Sequence, residues 1–460
     1  MINLAELHRE KVFPTAQHPA MIVVARNRRP ERGNDCTYAT VERSRAFKSH
    51  GVLEIGPELI KPLSVFRASQ DEDFLKIASW GNARDAALIG DLKRFPSLEK
   101  FLGQHGVRRR PGFTRGKEDR PVPIEIIGWP CLETEGLTAF GMTVDGLPPL
   151  QDRPMERPRK ASNYRGPLFL FTLSLSEVGL TSAICPDNVV YSQRYYGVSF
   201  RKDNRNDWAG YLNGIINSSL ATYFIFLTAA EWGVERDNVN GADLERLPVP
   251  EMSSDHLPLI RRLLEVEAIL RAEALRGNTV SDQARCELDA AVFDLYGLDS
   301  DQRILVEDML DVTIDFQRSR EQSTALSRPD ADNLSAYAEH FISVVNNFLN
   351  LRNERKATAE IFDLPPECPL QVVKFTMVPR SSHGRNVRSV AQMELGPLLD
   401  RIAENLPVEI ATDVYTRRHV RVYGPGEIYL IKPAQVRFWT RSAGMNDADG
   451  VLAEHLGSVS

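Results

Sequence analysis

The sequence lacks the short motifs of the common nucleotide-dependent and hydrolytic enzymes. It contains no G-x-x-x-x-G-K phosphate loop, no G-x-G-x-x-G segment, no G-x-S-x-G elbow and no H-E-x-x-H pair. Its nine histidines are dispersed, and no pair of carboxylates stands in a context that marks it for acid–base chemistry. The sequence therefore predicts no catalytic constellation and no metal site in this chain.

Cysteine is also scarce. The five cysteines lie far apart and form no Cys-x-x-Cys pair, which favours reduced thiols over a disulfide framework or a zinc site. The first residues carry charges where a signal peptide needs its apolar core. Both features predict a cytoplasmic protein.

No hydrophobic run has the length of a membrane span. The apolar run Leu220–Ala230 has about half of the roughly 20 residues that a span requires, and Asn213 and Asn217 precede it. A helix that is apolar on all sides and too short to span is typical of a protein core. We therefore expect a buried helix, ended by Trp232 and Gly233, and no membrane partner.

The chain has the composition of a globular protein with several domains. Its 460 residues are 42% hydrophobic and 26% charged, with a net charge of −6. The pattern predicts a multidomain α+β fold. We expect a small α/β piece at 1–95, a mixed α/β domain at 96–252, a helical segment and linker at 253–330, and an α+β domain at 331–460.

Hydrophobic periodicity predicts particular elements within these regions. Strands are expected over Ala20–Ala25 (buried), 122–130, 167–175, 188–200, 370–379, 419–424 and 427–433. Helices are expected near 71–92, over 256–276, from Asp282, after a cap at Asp299 or Ser300, and over 338–352, with a polar linker at 321–336.

A basic loop at residues 105–120 stands out against the acidic total. It holds six cations against two carboxylates, and glycine and proline keep it from forming a regular helix. Arginine in such a loop suits phosphate contacts and bidentate contacts to guanine, although a solvated charged loop is the alternative. Two further basic runs strengthen the DNA-binding interpretation. The candidate residues are Arg108, Arg109, Arg110, Phe113, Arg115 and Lys117 in the loop, with Arg159, Lys160, Arg201 and Lys202 in the two runs.

The order of motifs in this region resembles the target-recognition domain of adenine-specific DNA methyltransferases, especially those of type IIG restriction–modification enzymes. The likeness covers about 150 residues. Its matching pieces, in order, are Gly106-Val107 through Gly112-Phe113, Tyr164-Arg165-Gly166-Pro167, Tyr196-Gly197-Val198, Asn217-Ser218, Trp232-Gly233-Val234-Glu235-Arg236 and Leu247-Pro248-Val249-Pro250. Residues 287–310 resemble the helical segment that follows such domains, and the first residues resemble the end of a methyltransferase sheet.

The resemblance implies a recognition chain that works with a separate catalytic subunit. The Asn-Pro-Pro-Tyr motif and the S-adenosylmethionine loop of an adenine methyltransferase are missing from the sequence. The implied partners are double-stranded DNA and a methyltransferase or nuclease subunit, or both, in a phage-defence system. No cofactor is expected on this chain, and S-adenosylmethionine is expected on the partner.

Two segments keep alternative interpretations open. Near the end of the apolar helix, Trp232 and Glu235 are favoured as structural, whereas Arg236 and Asn238 are candidates for DNA contact. In residues 427–449, Lys432, Arg437, Trp439 and Arg441 suit a nucleic-acid surface. A core strand with solvated cations also fits, because Ile428, Leu430, Val436 and Phe438 alternate, and a protein-docking role is equally open.

Three functions follow from these features. The first is a sequence-specific DNA-recognition subunit. The second is a free-standing nuclease or methyltransferase with unrecognised motifs. The third is an assembly protein of a defence complex that does not bind DNA.

Overall fold

The protein is an α+β chain with two compact units, as the predicted fold class requires. The computed structural model describes residues 1–5, 7, 19–41, 50, 55, 59–116, 120–133, 137–175, 179–200, 207–234, 238–278, 280–349, 354–390, 395–403 and 420–457. One unit comprises residues 1–85 and 307–460, and the other comprises residues 86–306. The finer division into four regions stays a prediction.

The first unit begins with a small sheet in the order β2-β1-β3-β4. Its strands are β1 (Ile2–Asn3), β2 (Met21–Ile22), β3 (Asp35–Thr40) and β4 (Ile60–Ser64), followed by helices α1 (Val65–Gln70), α2 (Phe74–Trp80) and α3 (Ala83–Leu92), most of which belongs to the second unit. The predicted helical segment is therefore two helices, broken at Gly81 and Asn82. The predicted buried strand Ala20–Ala25 is wrong. Only two of its residues pair, and its aliphatic side chains are exposed.

The second unit is built on a five-stranded sheet in the order β5-β11-β8-β9-β7, with a separate pair of β10 and β6. Its elements are α4 (Leu98–Gln104), β5 (Arg110–Pro111), β6 (Cys131–Leu132), β7 (Phe140–Gly141), β8 (Leu168–Thr172), β9 (Ser182–Cys185), β10 (Val190–Tyr191), β11 (Tyr195–Ser199), α5 (Asp207–Ile216), α6 (Ser219–Thr228), α7 (Gly241–Glu245), α8 (Leu257–Leu275), α9 (Asp282–Tyr296) and α10 (Ser300–Asp308), whose last two residues belong to the first unit.

The strands predicted at 167–175 and 188–200 are confirmed, but the one at 122–130 is wrong. Residues Ile124–Ile126 form a short 3-10 turn, and the side chain of Ile124 is 86% exposed. Pro121 and Pro123 explain the difference, because neither supplies the N–H that a strand ladder needs.

Helix α6 is the predicted apolar helix, and it is buried as expected. Every residue from Leu220 to Thr228 is buried. The helix ends at Thr228, earlier than predicted, and Trp232 lies beyond it, fully buried with its ring 5.0 Å from that of Phe226. Gly233 does adopt the left-handed conformation, at φ 74°. The expected structural role of Trp232 is confirmed.

Helix α9 packs against α6, and α8 packs against α5 and strand β7, and the three predicted helices are all present. Asp299 caps α10 by accepting a hydrogen bond from the backbone N–H of Gln302 at 2.8 Å. Asp289 of α9 caps α6, accepting from the backbone N–H of Ser219 at 2.7 Å and from its hydroxyl at 2.6 Å. A carboxylate at this position satisfies free amides and favours the positive end of the helix dipole.

The remainder of the first unit is a five-stranded sheet in the order β14-β12-β13-β16-β15 with helices on both faces. Its elements are a π-helical turn (Met309–Ile314), α11 (Asp315–Ser319), α12 (Ala331–Leu349), β12 (Arg355–Phe362), β13 (Leu370–Pro379), β14 (Val387–Val390), α13 (Leu395–Ala403), β15 (Val420–Gly424), β16 (Glu427–Pro433) and α14 (Arg441–Gly457). Strands β13, β15 and β16 match the predictions.

Two predictions for this region are wrong. Helix α12 begins at Ala331, inside the expected linker, because Asp330 and Asn333 each accept a hydrogen bond from the other's backbone N–H and so cap the helix. After Pro433 the chain leaves the sheet and forms a 3-10 turn (Val436–Phe438) followed by α14.

The nucleic-acid surface considered for residues 427–449 is also contradicted. Lys432 is buried, forms an ion pair with Asp447, and lies between the rings of Tyr337 and Trp439. Arg441 is held by Glu307 and Asp308, and Arg437 lies 4.8 Å from the ring of Phe316. These cations therefore make contacts within the unit.

Candidate nucleic-acid interface

Two of the basic runs lie side by side. Residue Thr114 forms an antiparallel bridge with Arg157, and Arg120 forms one with Met155. The backbone hydrogen bonds continue this pairing, with the amide of Arg120 donating to Met155 at 3.0 Å and the amide of Met155 donating back at 2.9 Å. Residues 112–116 and Arg120 therefore pair with segment 153–160 in an irregular two-stranded ribbon, which brings together cations far apart in sequence.

The other end of the basic loop belongs to the edge of the sheet. Strand β5 pairs with β11, placing Arg110 opposite Gly197. Ser199, two residues further along β11, donates its hydroxyl proton to the carbonyl of Arg165 at 2.7 Å. Because the strands are antiparallel, Arg108 leaves the sheet at the same end as Ser199 and Arg165.

Several of the predicted arginines are bound within the protein. Arg109 is partly buried, pairs with Glu245 at 2.5 Å and lies 4.2 Å from the ring of Tyr196. Arg115 pairs with Glu133 at 3.1 Å and donates to the carbonyl of Arg153 at 3.0 Å. These arginines fix the loop and neutralise nearby carboxylates.

The remaining predicted residues divide between core, loop support and undescribed segments. Phe113 is fully buried and belongs to the core, so it is not part of an exposed surface. Arg159 donates to the carbonyl of Gly112 at 3.2 Å, and Asn238, partly buried, bridges to Ser174. Lys117, Arg201, Lys202 and Arg236 lie outside the described residues, as does Glu235.

Among the exposed cations of residues 105–120 and 153–165, five form no ion pair with the described part of the chain. We name this set the basic edge: Arg108, Arg110, Arg153, Lys160 and Arg165. Three of them were predicted, and Arg165 ends the predicted basic run 156–165, but Arg153 was missed because it stands alone in sequence beside Asp152. Only the ribbon pairing brings it next to Arg115. The basic edge carries five positive charges in a chain whose total is −6.

Tyr191 holds the motif residues of this region together, and sequence reasoning missed it. Its buried hydroxyl donates to the carbonyl oxygens of Arg110 at 3.3 Å and of Asn163 at 3.2 Å. Burial raises the pKa of this phenol above its usual range, so it stays protonated as a donor. Its ring lies 5.0 Å from that of Tyr164. The hydroxyl lies so close to Gly197 that a Cβ there would stand 2.4 Å from it.

A buried polar network lies on the opposite side of the sheet from β5. Asn213 donates to the carboxylate of Glu267 at 2.6 Å and to the carbonyl of Phe140 at 2.7 Å, and it accepts from the hydroxyl of Ser182 at 2.8 Å. Burial raises the pKa of Glu267 to about 7, although Arg271 at 3.4 Å opposes the shift. This network connects α5 and α8 with the strands of the sheet, and its geometry indicates a structural role.

No ligand chemistry beyond anion contact is evident in the parts of the chain that the structure describes. These residues contain no group of three or more histidine, cysteine, aspartate or glutamate side chains that could hold a metal ion. No described helix combines the length and apolarity needed to cross a membrane. The arrangement that remains is a cationic surface suited to phosphate groups.

The comparisons with known proteins give two structural likenesses. No family model and no curated protein matches the chain. A type IIL restriction–modification enzyme, MmeI, solved in complex with DNA, matches 36% of this chain and 23% of its own at 14% identity, with a TM-score of 0.24. The HsdS subunit from Thermoanaerobacter tengcongensis matches 52% of this chain and 60% of its own at 12% identity, with a TM-score of 0.22. The chain thus spans less than two thirds of either protein, and scores at this level do not establish a common fold.

Proposed function

We propose that this chain is a sequence-specific DNA-recognition subunit of a restriction–modification system that methylates adenine. It positions a separate catalytic subunit, a methyltransferase or nuclease or both, and S-adenosylmethionine belongs to that partner. The observation that carries the proposal is the basic edge. Two arginine-rich segments, separated by about 40 residues, meet in one ribbon, and five exposed cations in and beside it have no ion pair with the described residues.

The charge pattern supports phosphate contact. The carboxylates of Glu133 and Glu156 lie beside the ribbon, and each forms an ion pair with an arginine of the ribbon. The outer cations are therefore left to attract an external anion. An exposed cation without a protein partner breaks no internal ion pair when it binds an external anion. Such cations therefore suit a repeating anion such as the DNA backbone.

The motif residues support a domain built to hold this edge. Arg109 connects β5 to α7 through its ion pair with Glu245. Arg159 connects the two segments of the ribbon through its hydrogen bond to the carbonyl of Gly112. Tyr191 secures the backbone of Arg110 from beneath. A rigid frame under exposed cations limits the side-chain and loop entropy that DNA binding would cost.

The salt dependence of DNA binding tests the proposal. Each phosphate neutralised contributes about −0.9 to the slope of log K against log salt, so the triple variant Arg108→Ala, Arg110→Ala, Arg165→Ala should flatten the slope by about 3. Binding of a fluorescent duplex, measured by anisotropy at several salt concentrations, gives that slope.

The matched control removes two exposed cations elsewhere in the same unit, Arg261→Ala and Arg276→Ala. The control should keep the wild-type slope. If a folded triple variant kept it too, the basic edge would not contact phosphate. If the folded wild-type chain bound no duplex, the assembly role would replace DNA recognition.

A further inference from the structure

The segment from Met21 to Val24, which includes strand β2, combines an apolar sequence with an exposed position. Met21 to Val24 are four consecutive aliphatic residues, and all four are exposed, Val23 by 56% and Val24 by 89%. Side chains alternate between the two faces of a strand, so both faces of this segment are uncovered. A run that is apolar on both faces is typical of a strand inside a sheet covered on both sides.

The backbone of the segment is equally open. Strand β2 pairs with β1 through two residues only, Met21 and Ile22, and it is the outer strand of its sheet. Val23, Val24 and Ala25 form no backbone hydrogen bond with the described residues. Unpaired amides and carbonyls beside apolar side chains form a template for a further strand.

A cationic turn follows at once. Arg26, Arg28 and Arg29 are exposed and form no ion pair within the described part of the chain. Arg32, by contrast, lies over the ring of Phe66, at 5.7 Å. Positive charge next to an open strand favours a partner whose neighbouring residues are acidic.

We infer that residues 21–25 are a strand-addition site for a second protein, which supplies an extended acidic segment. The partner's backbone pairs with Val23–Ala25, its apolar side chains cover Val23 and Val24, and its carboxylates meet Arg26, Arg28 and Arg29. A nucleic acid fits less well, because the four aliphatic side chains have neither a charge nor a hydrogen-bond donor for phosphate. The inference does not depend on the proposed DNA-binding role, because it concerns the other unit and a different chemistry.

A designed peptide provides the probe. A nine-residue peptide with a block of five valines and a block of four glutamates, made in both orders and fluorescently labelled, is titrated with the full chain at low salt. Hydrogen exchange of residues 21–29 is measured with and without it. We expect saturable binding and slowed exchange at Val23, Val24 and Ala25. Binding should weaken about tenfold or more in Val24→Pro, which removes an amide donor, and in the triple variant Arg26→Glu, Arg28→Glu, Arg29→Glu.

Controls separate strand addition from simple attraction. Val24→Thr keeps the amide and should retain most of the binding, whereas the same peptide methylated on alternate amides should lose it. Equal binding of the methylated peptide would overturn the proposal. So would protection of the same amides by a DNA duplex of equal charge, or self-association of the chain that Val24→Pro abolishes.

Discussion

At the scale of single residues, the second unit depends on groups buried where their chemistry is constrained. Glu267 is the clearest case, since it is 1% exposed and one of its carboxylate oxygens has no hydrogen-bond partner in the structure. Ionising a carboxyl group in such a place is costly, which is why its pKa rises to about 7.

The pH dependence of stability follows from that shift. The folded-state pKa exceeds the unfolded value, so the stabilising contribution is complete below about pH 4.5 and is lost as the pH rises through 7. The loss amounts to about 3 kcal/mol at 1.4 kcal/mol per pKa unit. In Glu267→Gln, which cannot ionise, the melting temperature should change less between pH 5 and pH 8 than in the wild type. If the melting temperatures of the two proteins changed by the same amount between pH 5 and pH 8, Glu267 would be ionised throughout that range.

Gly112 illustrates a backbone constraint. A Cβ at this position would lie 2.2 Å from the carbonyl oxygens of Ser192 and Tyr191, which are backbone atoms that cannot turn aside. Gly112→Ala should therefore destabilise the unit by about 2 kcal/mol or more. Gly103→Ala is the control, because no atom lies within 4 Å of its Cβ position in α4, and alanine there should stabilise by about 0.5–1 kcal/mol. Urea unfolding of both variants would check the contrast, and equal stability would refute it.

At the scale of elements, the junction between α9 and α6 links the helical segment to the buried core. Asp289 supplies two hydrogen bonds to Ser219, at the start of a helix that has few polar groups of its own. The start of α6 is therefore capped both by its own Ser218, whose hydroxyl accepts from the backbone N–H of Ala221, and by a residue 70 positions further along the chain.

Removal of that cap should be costly and local. Asp289→Ala should lower the free energy of unfolding by about 1–2 kcal/mol, because it leaves the partly buried amide and hydroxyl groups of Ser219 without their acceptor. Glu287→Ala, an exposed change on the same helix, should stay within about 0.5 kcal/mol of wild type. Thermal unfolding monitored by circular dichroism distinguishes them, and an Asp289→Ala variant as stable as Glu287→Ala would show that water replaces the cap.

The elements that sequence predicted well are those whose burial follows their own pattern. Helix α6 is apolar on every side and lies in the core, and β13 and β16 alternate as their neighbours require. The failures have local or distant causes. Two prolines prevent the strand expected at 122–130. Asp330 and Asn333 cap α12, so that the helix begins inside an expected linker. Lys432 is buried because Asp447, on a later helix, supplies its counter-charge.

The candidate site was predictable only in part. The composition of the 105–120 loop identified a cationic region, but it could not distinguish Arg108 and Arg110, which are exposed, from Arg109 and Arg115, which are paired. That distinction depends on Glu245 and Glu133, far away in sequence. The same limit hid Arg153, which joins the basic edge only through the ribbon.

At the scale of the whole molecule, an acidic chain carries a cationic surface in one unit and an open apolar strand in the other. The negative total limits unspecific attraction to DNA, so binding must come from a local field. Specific recognition exceeds unspecific binding by about a thousandfold or more in known DNA-binding proteins. A chain that recognises a sequence should therefore show a preference measurable above this weak background.

The most direct measurement is selection of bound duplexes from a random-sequence DNA pool at physiological salt. It is made with the wild-type chain and with the Arg108→Ala, Arg110→Ala, Arg165→Ala variant, each shown to be folded by circular dichroism. The account predicts that the wild-type chain enriches a single sequence motif and that the variant enriches none. A folded wild-type chain that enriched no motif would contradict it.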